Sequence, residues 1–239
     1  LLTVLINWLG ALLIVRFQKH KTFILTASVI TDLSFLFYFK YFDFVAVNIN
    51  AFAGADIPLL KVIMPIGISF YTFQAMSYLI DVYRGKVRAQ SDVFRLALYI
   101  TLFPQLVAGP IVKYHDVAEQ LSRRSITPDK VLYGVRRFII GLAKKVLIAN
   151  TLGIVADAIF AQPVADFDVL TAWVGALAYS LQLFYDFSGY SDMAIGLGAM
   201  FGFKFFENFN YPYISKSISE FWQRWHISLS SWFKEYLYI

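Results

Sequence analysis

Long apolar runs, separated by short basic clusters, constrain this chain more than any other feature. From Val146 to Phe203 there is no Lys or Arg, and charged residues make up only 15% of the 239. A water-soluble domain carries roughly 25% charge, because its surface must be hydrated. With 59% hydrophobic residues, most of this surface has to face something apolar, and a bilayer is the simplest such solvent. Crossing its hydrocarbon core takes about 20 apolar residues per helix. The length therefore predicts an all-α, polytopic bundle of roughly six to eight spanning or re-entrant helices. With no internal repeat, low-complexity tract or linker, residues 1–239 read as a single membrane domain. The absence of cysteine excludes disulfides and thiolate metal sites. The net charge of +5 does not point to nucleic acid, because the cations lie between apolar runs, as in cytoplasmic loops. The chain opens at Leu1 and closes at Ile239 inside apolar runs, so it reads as truncated at both ends. The stretch 1–15 lacks the flanks of a signal peptide and is read as a cut span.

Along the chain, the span 1–15 runs into a basic loop at 16–21. Residues 22–39 cross to a loop at 41–61 that holds Asp43 and Asp56. Residues 63–83, broken by Pro65 and Gly67, cross back to a second basic cluster at 84–88. Residues 93–107 are apolar but interrupted by Pro104, Gly109 and Pro110, and a third basic stretch follows at 113–137. An apolar run with cations at both ends should not simply cross, so 93–112 is read as a re-entrant or broken helix pair. Asp157, Asp166 and Asp168 place the 157–168 loop on the far side, and 16–21, 84–88 and 113–137 are then cytoplasmic. Lys144 and Lys145 sit just inside a span.

Gly198 and Gly202 form a small-xxx-small pair expected to let two helices approach closely. With no strand before it and no acid at the right distance after it, the Gly196–Gly198–Gly202 segment is not a dinucleotide loop. The run from Tyr185 to Asp192 places Asp186, Ser188, Tyr190 and Asp192 in an otherwise apolar stretch. An ionised carboxylate in a membrane costs a few kcal/mol, so these groups either line a polar cavity, cap broken helix ends or pair with a basic residue. Ser217-Ile218-Ser219-Glu220 reads as a capping box, opening an amphipathic interfacial helix with a Glu220–Arg224 pair. Within it, His226 is either a structural histidine or a proton acceptor. His20 lies among cations and reads as solvated; His115 sits beside the re-entrant segment. His115 and Glu119 are spaced for a metal but lack further convergent ligands, so no metal is assigned.

Residues 103–112, the run Tyr185 to Met193, and Glu207 to Tyr213 through Ser219 to Ser230 resemble the membrane-bound O-acyltransferase (MBOAT) family. More narrowly they resemble its bacterial branch of alginate O-acetylation and teichoic-acid D-alanylation proteins. The run Gly141 to Ala149 and the tail from Trp232 look closer to the alginate type. The resemblance implies a ring of helices around a central funnel or tunnel. It implies an enzyme that moves an acyl group, acetyl for the alginate type, from a cytoplasmic thioester toward hydroxyls of an exported polysaccharide. No cofactor is implied beyond the donor, acetyl-CoA or another acyl thioester. Periplasmic acetyltransferase-like partner proteins and a bacterial inner-membrane location follow from the same likeness. The family's Trp-His-x-Ser motif is matched by Trp225-His226-Ile227-Ser228, which makes His226 the catalytic candidate. Asp186, Ser188, Tyr190, Asp192, Trp225, Ser228, Gln105 and Pro110 are the substrate-binding or tunnel-lining candidates. A second family histidine, in a Trp-His-Gly context and usually assigned the central catalytic role, falls beyond residue 239, so this piece alone is expected to be inactive. D-alanyl transfer to teichoic acid, a membrane transporter and an export scaffold are the alternatives.

Overall fold

The structure, a computed structural model, describes residues 1–106, 109–163 and 167–238. Among them every regular element is helical and none is a strand, so the fold is all-α. Two helices, Gln18–Ala53 and Pro128–Phe160, are long and apolar enough to cross a membrane. Only 11% of each apolar window is buried, which separates them from the core helices of a soluble domain. Asp166, Val107, Ala108 and Ile239, which entered the sequence reading, lie outside the described residues.

The described residues form two compact units. The first combines those of 1–107 and 111–123. Its α1 (Leu2–Arg16), α2 (Lys21–Leu36) and α4 (Ile68–Tyr83) pack on one another. The fully buried Asn7 amide donates to both oxygens of Asp32, at 2.8 and 3.0 Å. The loop expected from residue 41 is instead helix. The chain continues through a π-helical turn, Phe37–Tyr41, into α3 (Phe42–Ala53). Such a turn shifts the helix face without ending the helix, and apolar composition alone does not mark it. The real stop is Gly54, in the left-handed region at φ 61, which glycine adopts without steric cost. Asp43 then ties down the irregular segment by accepting from the Leu60 and Lys61 N–H groups. The expected break at Pro65 and Gly67 is present: α4 starts only at Ile68, after Gly67 at φ 74.

The apolar run beginning at Val93 gives only a nine-residue α5 (Val93–Thr101), capped by Asp92, and a short 3-10 turn, Phe103–Gln105. At about 1.5 Å per residue this is too short to cross a bilayer. α6 (Tyr114–Ser122) follows.

The second unit holds the described residues of 108–110 and 124–239. The basic stretch 113–137 is not a loop, which corrects the sequence reading. The Thr127 hydroxyl accepts from the Lys130 N–H and Pro128 occupies the first turn. Both are helix-starting signals, so Arg136 and Arg137 already belong to α7 (Pro128–Ala143). α7 runs through a π-helical turn, Lys144–Ala149, into α8 (Asn150–Phe160). Asp157 is still helical, and Asp168 caps α9 (Val169–Met200) by accepting from the Thr171 N–H at 2.6 Å.

α9 is one unbroken helix of 32 residues, so Asp186 and Asp192 cap no broken end. They pair with basic residues instead. Asp192 accepts from Arg137 Nε at 2.9 Å and from Lys144 Nζ at 2.6 Å. Arg137 also reaches Glu207, and Lys145 pairs with Asp186.

Glycine makes this approach of α7 and α9 possible, but not at the expected pair. Gly198 lies against the Phe205 ring and Gly202 closes the helix at φ 82. The contacts are Gly134 with Gly196 and Gly141 with Gly189. A Cβ on Gly196 would stand 2.6 Å from the Gly134 carbonyl oxygen, and one on Gly189 2.7 Å from that of Gly141. Seven residues separate the two glycines on each helix, about two turns, so a search at four-residue spacing passes them by.

Four outcomes follow for the full-length protein, read as the midpoint of unfolding by SDS. Gly196→Ala forces backbone apart and destabilises by about 1–3 kcal/mol. Gly153→Ala, whose new methyl meets Gln182 at an ordinary 3.6 Å, does not destabilise. Asp192→Asn leaves two cations without their shared carboxylate and costs about 3 kcal/mol, and adding Lys144→Met to it recovers part of the loss.

Candidate functional site

The site is built where α9 ends and the chain turns back. After Gly202 an irregular segment delivers Glu207, Asn208 and Asn210 before Ser217 caps α10 (Ile218–Arg224), accepting from the Glu220 N–H at 3.1 Å. The Glu220 carboxylate accepts from the Lys216 N–H and from Arg224 Nε, both at 2.9 Å, so the expected i, i+4 pair forms.

The amphipathic helix expected from 217 onward is split. α10 stops at Arg224, and α11 (Ile227–Phe233) starts anew after His226, which sits in the left-handed region at φ 45, ψ 54. The segment 208–210 imposes this break. The Ile227 N–H donates to the Asn208 carbonyl at 3.0 Å, and the Asn210 N–H donates to the Arg224 carbonyl at 2.9 Å. The Arg224 guanidinium donates in turn to the Asn210 carbonyl. These bonds flank His226 on both sides and hold a conformation that costs a non-glycine residue about 1–3 kcal/mol.

His226 is buried, at 8% exposure. Its Nδ1 lies 3.2 Å from the Asn208 side-chain oxygen and 3.4 Å from the Ser228 hydroxyl. The same Asn208 oxygen accepts from the Ser228 N–H and hydroxyl, at 3.1 and 2.8 Å. The Phe187 ring stands edge-on at 4.8 Å between centroids. His226 falls between two seven-residue helices, outside the candidate spans. Burial holds its imidazole down at about 4, because desolvation disfavours the charged form. At neutral pH it is an uncharged base.

Beside it in the sequence, Ile227 reaches a cavity of about 530 Å³ within the second unit. Arg137, Lys144, Asp192 and Glu207 supply its charges, and Ser188 and Ser191 two hydroxyls. Both hydroxyl oxygens are buried with no protein partner among the described residues. Unsatisfied buried polar atoms are costly, and both serines are among the residues that line the cavity.

The predicted residues are thus sorted. Ser188 and Asp192 line the cavity, whereas Asp186, Tyr190 and Trp225 are not among its lining residues. Trp225 belongs to an aromatic cluster, stacked on Phe221 at 5.6 Å and edge-on to Phe209 at 5.1 Å. Ser228 joins His226 through Asn208. Gln105 lies in the first unit, buried, donating to the Tyr99 carbonyl at 2.6 Å; Pro110 is buried. His115 is also in the first unit, its Nδ1 3.0 Å from Asp81 and its Nε2 3.4 Å from Asp116. His20 is exposed in a tight turn.

Sequence reasoning passed over Arg137 as a loop cation and, although it put Lys144 just inside a span, gave it no partner; it also passed over Ser191 and the role of Asn208. Cations inside a helical run and acids inside another were a usable signal, since neither stays unpaired in lipid.

The model of the MBOAT, membrane-bound O-acyltransferase family, matches residues 4–239. The chain is 49% identical over 229 residues to the probable alginate O-acetylase AlgI of Azotobacter vinelandii, covering 94% of this chain and 45% of that protein. It is 36% identical over 266 residues to the peptidoglycan O-acetyltransferase of Helicobacter pylori, covering 99% of this chain and 50% of the relative. Against the teichoic acid D-alanyltransferase of Bacillus subtilis the identity is 29% over 228 residues, 94% of this chain and 56% of the relative. The chain spans about half the length of these curated relatives. The match runs through the helices, the turn at Asn208 and the break at His226 alike, and the alginate-type relative is much more similar than the D-alanyl one. The likeness read from the motifs holds: this membrane chain belongs to the membrane-bound O-acyltransferase family.

Proposed function

We propose that the full-length protein is an O-acyltransferase of a bacterial inner membrane that moves acetyl from a thioester toward hydroxyls of an exported polysaccharide such as alginate. The observation that carries this reading is a buried imidazole at His226, held from its Nδ1 side by Asn208, within a match to O-acetylases. In the complete site an imidazole takes the proton of the acceptor hydroxyl as that oxygen attacks the thioester carbonyl, with the histidine beyond residue 239 in the central role and His226 as a second catalytic group. The tetrahedral intermediate collapses, the C–S bond breaks, and the departing thiolate takes the proton back. General base catalysis of this kind contributes roughly 10²–10⁴-fold. Ser188 and Asp192 line the compartment next to this chemistry, with Ser228 supporting His226. Trp225 packs against Phe209 and Phe187 beside His226, and Asp186 and Tyr190 belong to the same helix as Ser188 and Asp192 and take part in substrate passage.

The donor, acetyl-CoA or another acyl thioester, arrives from the cytoplasm, the side of the basic residues at 16–21, 84–88 and 113–137 in a multi-pass arrangement with residues 1–239 as one membrane domain. The acceptor is served outside the membrane, with periplasmic acetyltransferase-like partners. The higher identity to the alginate relative (49% against 29%) favours acetyl over D-alanyl transfer.

The test is labelled transfer by the full-length protein in membranes, with acetyl and D-alanyl thioesters offered in parallel. His226→Ala is expected to lower acetyl transfer by about 10²-fold or more with unchanged expression and assembly. Unchanged transfer in that variant removes His226 from the chemistry, and D-alanyl transfer without acetyl transfer overturns the substrate.

A further inference from the structure

We infer that Asn208 is a positioning residue for His226: its side-chain oxygen fixes the imidazole as the tautomer protonated on Nδ1 and leaves Nε2 as the proton acceptor. The inference deepens the acyl-transfer reading and rests on it for its catalytic meaning.

Asn208 is fully buried, and its amide orientation is decided by its neighbours. The backbone N–H of Ser228 can only donate, so the atom 3.1 Å away must be the amide oxygen. His226 Nδ1 lies 3.2 Å from that same oxygen. Were Nδ1 unprotonated, two lone pairs would face each other; a hydrogen on Nδ1 turns the contact into a bond. Ser228 does not compete, because its hydroxyl hydrogen goes to the Asn208 oxygen at 2.8 Å rather than to Nδ1 at 3.4 Å. The Asn208 Nδ2, by contrast, has no partner among the described residues. The amide therefore acts through its oxygen alone, which gathers three donors. The Asn208 backbone carbonyl meanwhile holds Ile227, so one residue sets both where the ring stands and which nitrogen is free. In the neutral ring the nitrogen opposite the hydrogen-bonded one is the base.

The test is the nitrogen-15 spectrum of histidine-labelled full-length protein in lipid at neutral pH, with the His226 signals assigned by their loss in His226→Gln. The expected wild-type pattern is a protonated Nδ1 and an unprotonated Nε2. Asn208→Leu frees the Ser228 hydroxyl to donate to Nδ1 and moves the proton to Nε2, with kcat falling roughly 10²-fold. Asn208→Asp keeps an oxygen acceptor and retains the Nδ1–H signal. A wild-type ring protonated on Nε2, or an unchanged tautomer in Asn208→Leu, overturns the inference. Normal acyl transfer in His226→Ala would sink the catalytic reading instead, while the spectra still decide what Asn208 does to the ring.

Discussion

A carboxylate within an apolar helix has to find its counter-charge inside the protein, and Asp192 finds two. Arg137 and Lys144 lie seven residues apart on one helical run, two turns by α-helical geometry, and both close on the same side chain. That arrangement is reachable only if the helix backbones nearly touch. Gly134 and Gly141 on one helix and Gly189 and Gly196 on the other supply the contact with the same two-turn spacing. The charges and the glycines therefore specify one register. A slide of one helix would put methylene groups where carbonyls now pass and leave cations without their acid. With α9 so fixed, Phe184, Ser188, Ser191 and Asp192 fall on one face, the one that walls the cavity.

The second constraint is local. His226 occupies a backbone conformation that a side-chain-bearing residue avoids, and the hydrogen bonds exchanged between 208–210 and 224–228 hold it there. A helix continuing through this point would have turned the imidazole with its own period, among the apolar residues of the amphipathic face. The break instead lets Asn208 capture the ring by one nitrogen. Strain of this sort persists where the surroundings over-determine it, and it gives an orientation that a regular helix does not supply.

Much of the architecture was legible because it follows from solvation and from residues with unusual backbones. Scarce charge gave the membrane and the helical class. Pro65 and Gly67 marked the start of α4, and Ser217 marked α10. The π-helical turns at Phe37–Tyr41 and Lys144–Ala149 were not legible, because they alter hydrogen bonding without altering composition. The reading of 113–137 as loop failed because cations were taken as evidence of water, whereas Arg137, like Lys144 beyond that stretch, has partners in the protein. Those partners come from another helix, and a single sequence does not say which helices meet. The site was half legible: His226 and Ser228 stood in a recognisable motif, but the apolar period runs straight across the break at His226, so periodicity joined two helices that Asn208 separates.

What most directly tests a water-lined compartment inside a lipid-facing helical shell is the reactivity of two adjacent positions on α7. Ile140 lines the cavity and Ile139 does not, yet both are more than half exposed and stand only about 1.5 Å apart along the helix axis. The thiolate is the species that attacks such reagents, and it forms in contact with water and not with hydrocarbon. In full-length protein in bilayers, with any native cysteine replaced by serine, Ile140→Cys is expected to react with a small charged methanethiosulfonate and Ile139→Cys to stay inert. Equal reactivity at the two positions, or reaction at 139 alone, would contradict the arrangement described.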